Sequence, residues 1–183
     1  MSLHIGIDRI GKNLSEKEKE LDTVLMESRP AVRACSNAIK ALHALKLEDA
    51  KKHLAEAEKA IEKIAQFRAH FQPHLDHVYQ EYAEARIVLS AIELKKIPGA
   101  EELKVPDVPY LNGLLDAIGE LKREMYESLR RGNKHEAEEY FKMMEEIFDE
   151  LLPLRFSNAI LPEFRRKQGA GRHQIEQARG ELL

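Results

Sequence analysis

Residues 107–125 read DVPYLNGLLDAIGELKREM, and the apolar side chains of this stretch recur with the period of an α-helix. The pattern predicts one amphipathic helix from Pro109 to Arg131, which Gly132 and Asn133 end with the chemistry of a C-terminal cap. A helix with a single apolar face needs other elements to cover that face. Because no stretch of the chain alternates as a β-strand does, those elements are predicted to be helices. The recurring apolar positions are Leu111, Leu114, Leu115, Ile118, Leu121 and Met125.

The rest of the sequence predicts five further helices. The first runs from Leu14 to about Leu45, and Pro30 either kinks it or opens a second helix at its first turn. The predicted fold class is all-α: an antiparallel bundle of about six helices in one domain spanning 1–183, with 1–13 as a flexible start. The clearest break, 97–109, holds three prolines. The other predicted helices span about 49–70, 74–96, 134–152 and 157–183, the last being interrupted at Pro162 and weakened at Gly169 and Gly171.

The composition excludes several classes of protein. The net charge of −3 gives no global attraction for nucleic acid, so any such binding must depend on local basic patches. The single cysteine, Cys35, excludes an internal disulfide and a cysteine-based zinc site, and it is expected to be a small packing residue. No segment is long and apolar enough to span a bilayer, so a cytoplasmic protein with no membrane partner is expected.

Two pairs of carboxylates stand out against the mixed charges of the rest of the chain. Glu81 and Glu84 are three residues apart on one predicted helix, and Asp116 and Glu120 are four apart on another. Like charges at these spacings repel by a few tenths of a kcal/mol, and no Lys or Arg at helical contact spacing bridges either pair. A cation is therefore expected between them. Carboxylate oxygens suit hard divalent ions, so the candidate cofactor is Mg²⁺ or Mn²⁺.

Each pair also has a simpler interpretation. Glu81 falls inside the apolar stripe of its helix and Glu84 on the flank, so an arginine from another helix could neutralise them. Asp116 and Glu120 fall opposite the apolar stripe of theirs, which is typical of a solvated face. The small residues beside them argue for a cavity instead, because they leave room for a substrate or a second chain to approach closely. These small residues are Gly113, Ala117 and Gly119.

Histidines near the first acidic pair raise a rival metal site. His70, His74 and His77 precede Glu81 at helical spacing, as ligands of a di-iron bundle could. The Glu-x-x-His pairs that such a protein needs are absent from the acidic helices. We therefore expect the histidines to lie at the surface, at a subunit contact or facing phosphate.

Basic residues cluster in two places. One cluster lies on the first predicted helix and the other near the C-terminus. A run of basic residues is usually a solvated surface, but around an acidic metal site it would hold a phosphate backbone. The candidate RNA-binding residues are Arg29, Arg33, Lys40, Arg165, Arg166, Lys167 and Arg172.

Two segments resemble the Trax branch of the translin superfamily. Residues 80–85, QEYAEA, are similar to the segment QEYVEA of that branch, and residues 107–121 are similar to its segment DYLLGVADLTGEL. The resemblance covers most of the chain. It implies a translin-like helical subunit that assembles into a hollow homo-oligomer, typically an octamer, and cleaves single-stranded RNA inside it as a Mg²⁺-dependent endoribonuclease. The metal-binding and catalytic acids that it implies are Glu81, Glu84, Asp116 and Glu120.

The chain is shorter than eukaryotic members of this branch, which suggests an archaeal source and assembly without a separate translin partner. Two other functions stay open. One is a non-catalytic oligomer of the translin type that binds single-stranded RNA or DNA, and the other is a helical scaffold with solvated acids. The complete set of four acids favours the ribonuclease, because a pure binding protein has no use for four carboxylates near phosphates.

Overall fold

The computed structural model describes residues 6–182, and these residues form helices and no strand. The predicted all-α fold is confirmed. Six long helices and one single-turn helix follow one another, with a 3₁₀ turn at Ala65–Phe67. The helices are α1 (Ile7–His43), α2 (Leu47–Ile64), α3 (Arg68–Leu94), α4 (Ala100–Leu103), α5 (Asp107–Arg130), α6 (Lys134–Leu151) and α7 (Phe164–Leu182).

Helix α1 is longer and more regular than predicted. It begins at Ile7, so residues 7–13 are helical where a flexible start was expected, while residues 1–5 lie outside the described part of the chain. Pro30 neither ends nor divides it; the helix continues through that exposed residue to His43. The buried residues recur every three or four positions from Val24 onward, which is the pattern of one face packed on a core.

Helix α3 contains the boundary that was predicted at Pro73. The chain bends at Phe71, whose φ of −129° and ψ of 38° are not helical, and then resumes the same helix. Proline has no N–H for the helical hydrogen bond and clashes with the preceding turn, so the distortion falls just before it. The half of α3 that follows the bend carries both glutamates of the first acidic pair.

Helix α3 occupies the centre of the fold. It packs on α1 on one side and on α5 on the other, while α2 pairs with α1 and α6 pairs with α5. The α5–α6 turn is built as predicted: Gly132 has a φ of 78°, and the Asn133 side chain accepts a hydrogen bond from the Glu136 N–H at 3.1 Å. The largest fully buried side chains include Leu42, Leu75, Ile87, Ile118, Leu121, Met125 and Tyr140.

Helix α7 closes the bundle by packing on α5 and α6. It begins at Phe164 rather than Ser157, because Pro162 and the positive φ of Glu163 (64°) interrupt the helical path. The helix continues through Gly169 and Gly171; Gly171 is buried, and a Cβ there would lie 3.4 Å from Ile118 Cδ1. None of the helices in the described region is both long and apolar enough to cross a membrane.

Candidate functional site

The four predicted acids line one pocket of about 340 Å³ between α3, α5 and α7. Glu81 and Glu84 enter it from α3, and Asp116 and Glu120 enter it from α5. All four are partly buried, so the interpretation of Asp116 and Glu120 as a solvated face is wrong. The cavity expected beside this face lies within one chain, and α7 supplies its third wall. We call it the acidic pocket; its other lining residues are Leu115, Gly119, Arg166, Lys167, Ala170 and Gln174.

The glycines of α5 allow the walls of the acidic pocket to approach closely. A Cβ on Gly113 would lie 2.9 Å from Ala83 Cβ and 3.0 Å from the Gln80 carbonyl oxygen, both on α3. A Cβ on Gly119 would lie 3.0 Å from the amide nitrogen of the Gln174 side chain on α7. Room for a close approach was predicted at these small residues, and helices of the same chain use it.

Asp116 already has a cation beside it. The Lys167 ammonium group on α7 donates a hydrogen bond to Asp116 Oδ2, and Gln80 Nε2 donates to the same oxygen at 2.8 Å. Only 13% of the Lys167 side chain is exposed, so this ion pair is held inside the pocket. The sequence interpretation without a metal expected an arginine from another helix to neutralise the buried glutamates. In the structure a lysine from another helix neutralises Asp116 instead.

Glu81 and Glu84 carry the excess negative charge of the pocket. Burial raises the pKa of Glu81, and the imidazole of His77 lies beside it, with Nδ1 3.9 Å from Glu81 Oε1. Burial, followed by repulsion from Asp116, Glu81 and Glu120, raises the pKa of Glu84 to about 8. Within residues 6–182 neither glutamate forms an ion pair with Arg or Lys. Glu84 thus lies where a negative charge is least stable in the absence of an added cation.

Glu120 differs from the other three acids because a histidine neutralises it. His43, the last residue of α1, places Nε2 at 2.5 Å from Glu120 Oε2, and its Nδ1 bonds to Glu124 Oε1. The bond to His43 lowers the pKa of Glu120. Burial opposes the charge on His43, but the bonds to the two glutamates outweigh it and raise the pKa of His43 to about 9. The ring is therefore an imidazolium at neutral pH.

The acidic pocket has the ligand type that a divalent cation needs, but its side chains are not yet arranged around a common point. Four carboxylates converge on it, and burial together with mutual repulsion raises the pKa of Glu84, an imbalance that a hard cation would relieve. In the described part of the chain, however, no three His, Cys, Asp or Glu side chains are arranged as a ready metal site. Binding would require the side chains to rearrange, beginning with release of Asp116 by Lys167.

The first basic cluster faces a groove between α1 and α3. Arg29, Arg33 and Lys40 are exposed on α1 and line this groove, of about 460 Å³, together with His74 and His77 of α3. His77 is also the neighbour of Glu81, so one residue borders both features. We call it the basic groove. Its histidines are surface residues, as one of the sequence interpretations expected.

The second basic cluster is divided between two faces of α7. Arg166 and Lys167 line the acidic pocket, and exposed Arg165 adjoins them in sequence. Arg172 lies elsewhere: its guanidinium group is 5.9 Å from the centre of the Phe148 ring, against α6. Five residues of helix turn its side chain by about 140° from that of Lys167, so Arg172 does not line the acidic pocket with Arg166 and Lys167.

Four residues of the site were not predicted. His43 bonds to both Glu120 and Glu124, and we call these two contacts the tie. Gln80 donates a hydrogen bond to Asp116, and the Gln174 side chain lines the pocket. One signal was available, since Glu124 follows Glu120 by four residues and extends the acidic run on α5. Its partner lies 81 residues away in sequence, which no local pattern connects.

Comparison with known proteins gives a consistent result. The model of the Translin family matches residues 6–178. The uncharacterized protein MJ0175 of Methanocaldococcus jannaschii is 30% identical over 175 residues, which are 93% of this chain and 78% of that protein. The structure of AfC3PO in complex with duplex RNA has a TM-score of 0.89 at 26% identity, covering 96% of this chain and 94% of that one. Apo-NeC3PO, at 22% identity, also has a TM-score of 0.89 and covers 100% and 98% of the two chains.

Proposed function

Because this chain belongs to the translin family, we propose that it is an RNA-binding protein of the Trax type that cleaves single-stranded RNA as a metal-dependent endoribonuclease. The observation that carries the proposal is the convergence of Glu81, Glu84, Asp116 and Glu120 on one pocket. A basic groove adds to it, because its His77 lies 3.9 Å from Glu81. Phosphodiester hydrolysis needs a cation where charge develops on the phosphate, and it needs a path that holds the backbone.

The basic groove supports RNA as the substrate. Arg29, Arg33 and Lys40 supply positive charge along α1, and His74 and His77 supply hydrogen-bonding groups on the opposite wall. These groups suit phosphate oxygens, and none of them reads a base, which fits binding without strong sequence preference. AfC3PO, a solved structure similar to this chain, was determined with duplex RNA. Single-stranded DNA has the same phosphate backbone and is a second ligand to test.

The four carboxylates would hold Mg²⁺ or Mn²⁺ in the acidic pocket. Such an ion, when bound, activates water and stabilises the negative charge on a phosphate under in-line attack. The protein's contribution is to hold the carboxylates close together and partly shielded from bulk solvent. Lys167 has a second role in this proposal: once released from Asp116, its ammonium group is available to pair with a phosphate oxygen.

A non-catalytic RNA-binding oligomer of the translin type is the second candidate function. The ion pair between Lys167 and Asp116 favours it, because a pocket that already contains its own cation has less need of a metal ion. The two functions differ in what they predict for the acids. A binding protein should keep its affinity for RNA, and show no cleavage, with or without Glu84.

The decisive experiment is cleavage of an end-labelled single-stranded RNA in Mg²⁺, in Mn²⁺ and in EDTA. Wild type should cut only with metal, and both the double variant Glu81→Ala/Glu84→Ala and Asp116→Ala should bind RNA without cutting it. Glu150→Ala, an exposed acid on α6, is the matched control and should cut as wild type does. Wild type that binds but never cuts would make the binding protein the better conclusion.

Assembly is part of the same proposal. We propose a homo-oligomer, with an octamer as the expected state, that encloses the acidic pockets. Native mass spectrometry of the purified protein gives the number of subunits directly. A stable monomer that still cleaves RNA would contradict the proposed enclosure without contradicting the ribonuclease.

A further inference from the structure

His43 joins two glutamates of α5 from the end of another helix. Its ring is almost fully buried, with 6% of the side chain exposed, and Glu124 is equally buried at 2%. Glu120, at 27%, is the member of this group that reaches the acidic pocket. The three residues therefore form a buried chain that begins at Glu124, passes through the imidazole and ends at a pocket carboxylate.

Contacts at both ring nitrogens fix the ring in one orientation. Nδ1 bonds to Glu124 Oε1, and Nε2 lies 2.5 Å from Glu120 Oε2. A carboxyl group as buried as Glu124 needs such a hydrogen-bonding partner. Because both ring nitrogens are occupied, the ring has no other orientation that satisfies its partners.

The tie also determines which oxygen of Glu120 is available. His43 occupies Oε2, and within residues 6–182 Oε1 forms no hydrogen bond or ion pair. The other charged groups near the tie do not replace it; Arg123 acts on Glu120 only at longer range. Glu120, which lines the acidic pocket, is thus held by one oxygen and keeps the other without a partner in the described part of the chain.

We propose that His43, anchored by Glu124, is a positioning residue that holds the Glu120 carboxylate ready to bind a divalent cation in the acidic pocket. This inference rests on the proposed function, because it assigns His43 a role toward the metal of the same site. A group that orients a metal ligand from behind typically changes metal affinity by about 10- to 100-fold when it is removed.

The test measures Mn²⁺ binding in the full-length protein without RNA, by electron paramagnetic resonance of the free ion. We expect His43→Ala and Glu124→Ala each to weaken Mn²⁺ binding by about 10- to 100-fold. The double variant should lose no more than the larger single loss, because both residues act through Glu120. His43→Gln retains one donor and should fall between His43→Ala and wild type. In cleavage assays the same variants should lose kcat with little change in KM for RNA.

The control separates positioning from simple stability. Glu27→Gln removes the ion pair between Glu27 of α1 and Lys63 of α2, far along α1 from His43, and should leave Mn²⁺ affinity unchanged. If the His43 and Glu124 variants melt at lower temperature but bind Mn²⁺ as wild type does, the tie is only structural and the inference is wrong. If wild type binds no Mn²⁺, the proposed function fails as well, so the two failures are distinguishable.

Discussion

A methyl group added to Gly113 of α5 would lie 2.9 Å from the Cβ of Ala83 on α3. Real Cβ atoms do not approach this closely, so the distance between the two helices depends on the missing side chain. The acids of each pair lie on the same two helices: Glu81, Glu84 and Asp116 within one turn of this contact, and Glu120 two turns from it. The spacing of the carboxylates in the acidic pocket is therefore set by a contact between two small, uncharged residues.

Gly113→Ala should destabilise the protein by about 1–3 kcal/mol, because the new methyl group forces two packed helices apart. Gly169→Ala is the matched control on an exposed part of α7, where nothing lies within 4 Å of an added Cβ. That change should instead stabilise the protein by roughly 0.5–1 kcal/mol through helix propensity alone. Urea denaturation measures both. If both substitutions changed the free energy of unfolding equally and in the same direction, the short distance between Gly113 and Ala83 would not limit the packing of α3 on α5.

Glu84 should make the metal-free protein less stable as pH rises. Its pKa is about 8 in the folded state against 4.5 in a free side chain, so folding favours the protonated form. The stability that this proton provides is complete below about pH 4.5 and is lost as pH rises through about 8.

Glu84→Gln cannot ionise and should be more stable than wild type near pH 8.5, by on the order of 2 kcal/mol. The difference should shrink near pH 5. Melting temperatures across this range, in EDTA, give the comparison, with exposed Glu150→Gln as the control. A constant difference between Glu84→Gln and wild type at all pH values would contradict the raised pKa.

Lys167→Met should have opposite effects on stability and on metal binding. Without metal the variant loses the cation beside Asp116, at a cost of about 1 kcal/mol for a partly buried pair. With Mn²⁺ present, the rise in melting temperature should be larger than in wild type, because Asp116 is no longer occupied.

RNA cleavage by Lys167→Met should nevertheless fall if the ammonium group pairs with phosphate. Arg165→Met, an exposed neighbour on the same helix, should change none of the three measurements. A smaller Mn²⁺ response in Lys167→Met than in wild type would mean that Lys167 supports the metal site rather than competing with it.

The basic groove should account for the salt dependence of RNA binding. Arg29→Ala, Arg33→Ala and Lys40→Ala should each reduce the slope of log K against log salt by about 0.7, the value for one phosphate contact on a single strand. Fluorescence anisotropy in EDTA measures binding without cleavage. Arg172→Ala, which lies against α6, is the charge-matched control and should leave the slope unchanged. Equal slopes for all four variants would place the RNA elsewhere.

The helices could be predicted from the sequence because each has its own periodic face. Leu114, Ile118 and Leu121 specify the buried side of α5 without reference to any other segment. Cys35, expected to be a packing residue, is fully buried. Local signals were less reliable for helix ends and bends: Pro30 left α1 intact, whereas Pro73 is accompanied by a bend at Phe71.

Only those parts of the site whose residues lie on one helix could be predicted from the sequence. The sequence showed two pairs of carboxylates without a basic partner, one on α3 and one on α5. The structure brings the four carboxylates together in one pocket. The helical periodicity of α5 correctly placed Asp116 opposite the apolar stripe. It could not show that α7 covers the face of α5 on which Asp116 lies. The tie between His43 and Glu124 joins positions 81 residues apart, so only the folded chain reveals it.

The third wall of the acidic pocket comes from α7, the last of the described helices to be synthesised. Helices α3 and α5 emerge from the ribosome before α7, so a nascent chain can pair them while the pocket still lacks Lys167 and Gln174. Folding during translation can therefore complete the site only once α7 has been made. For a protein that cleaves RNA as proposed, the site stays incomplete until α7 packs on α5 and α6.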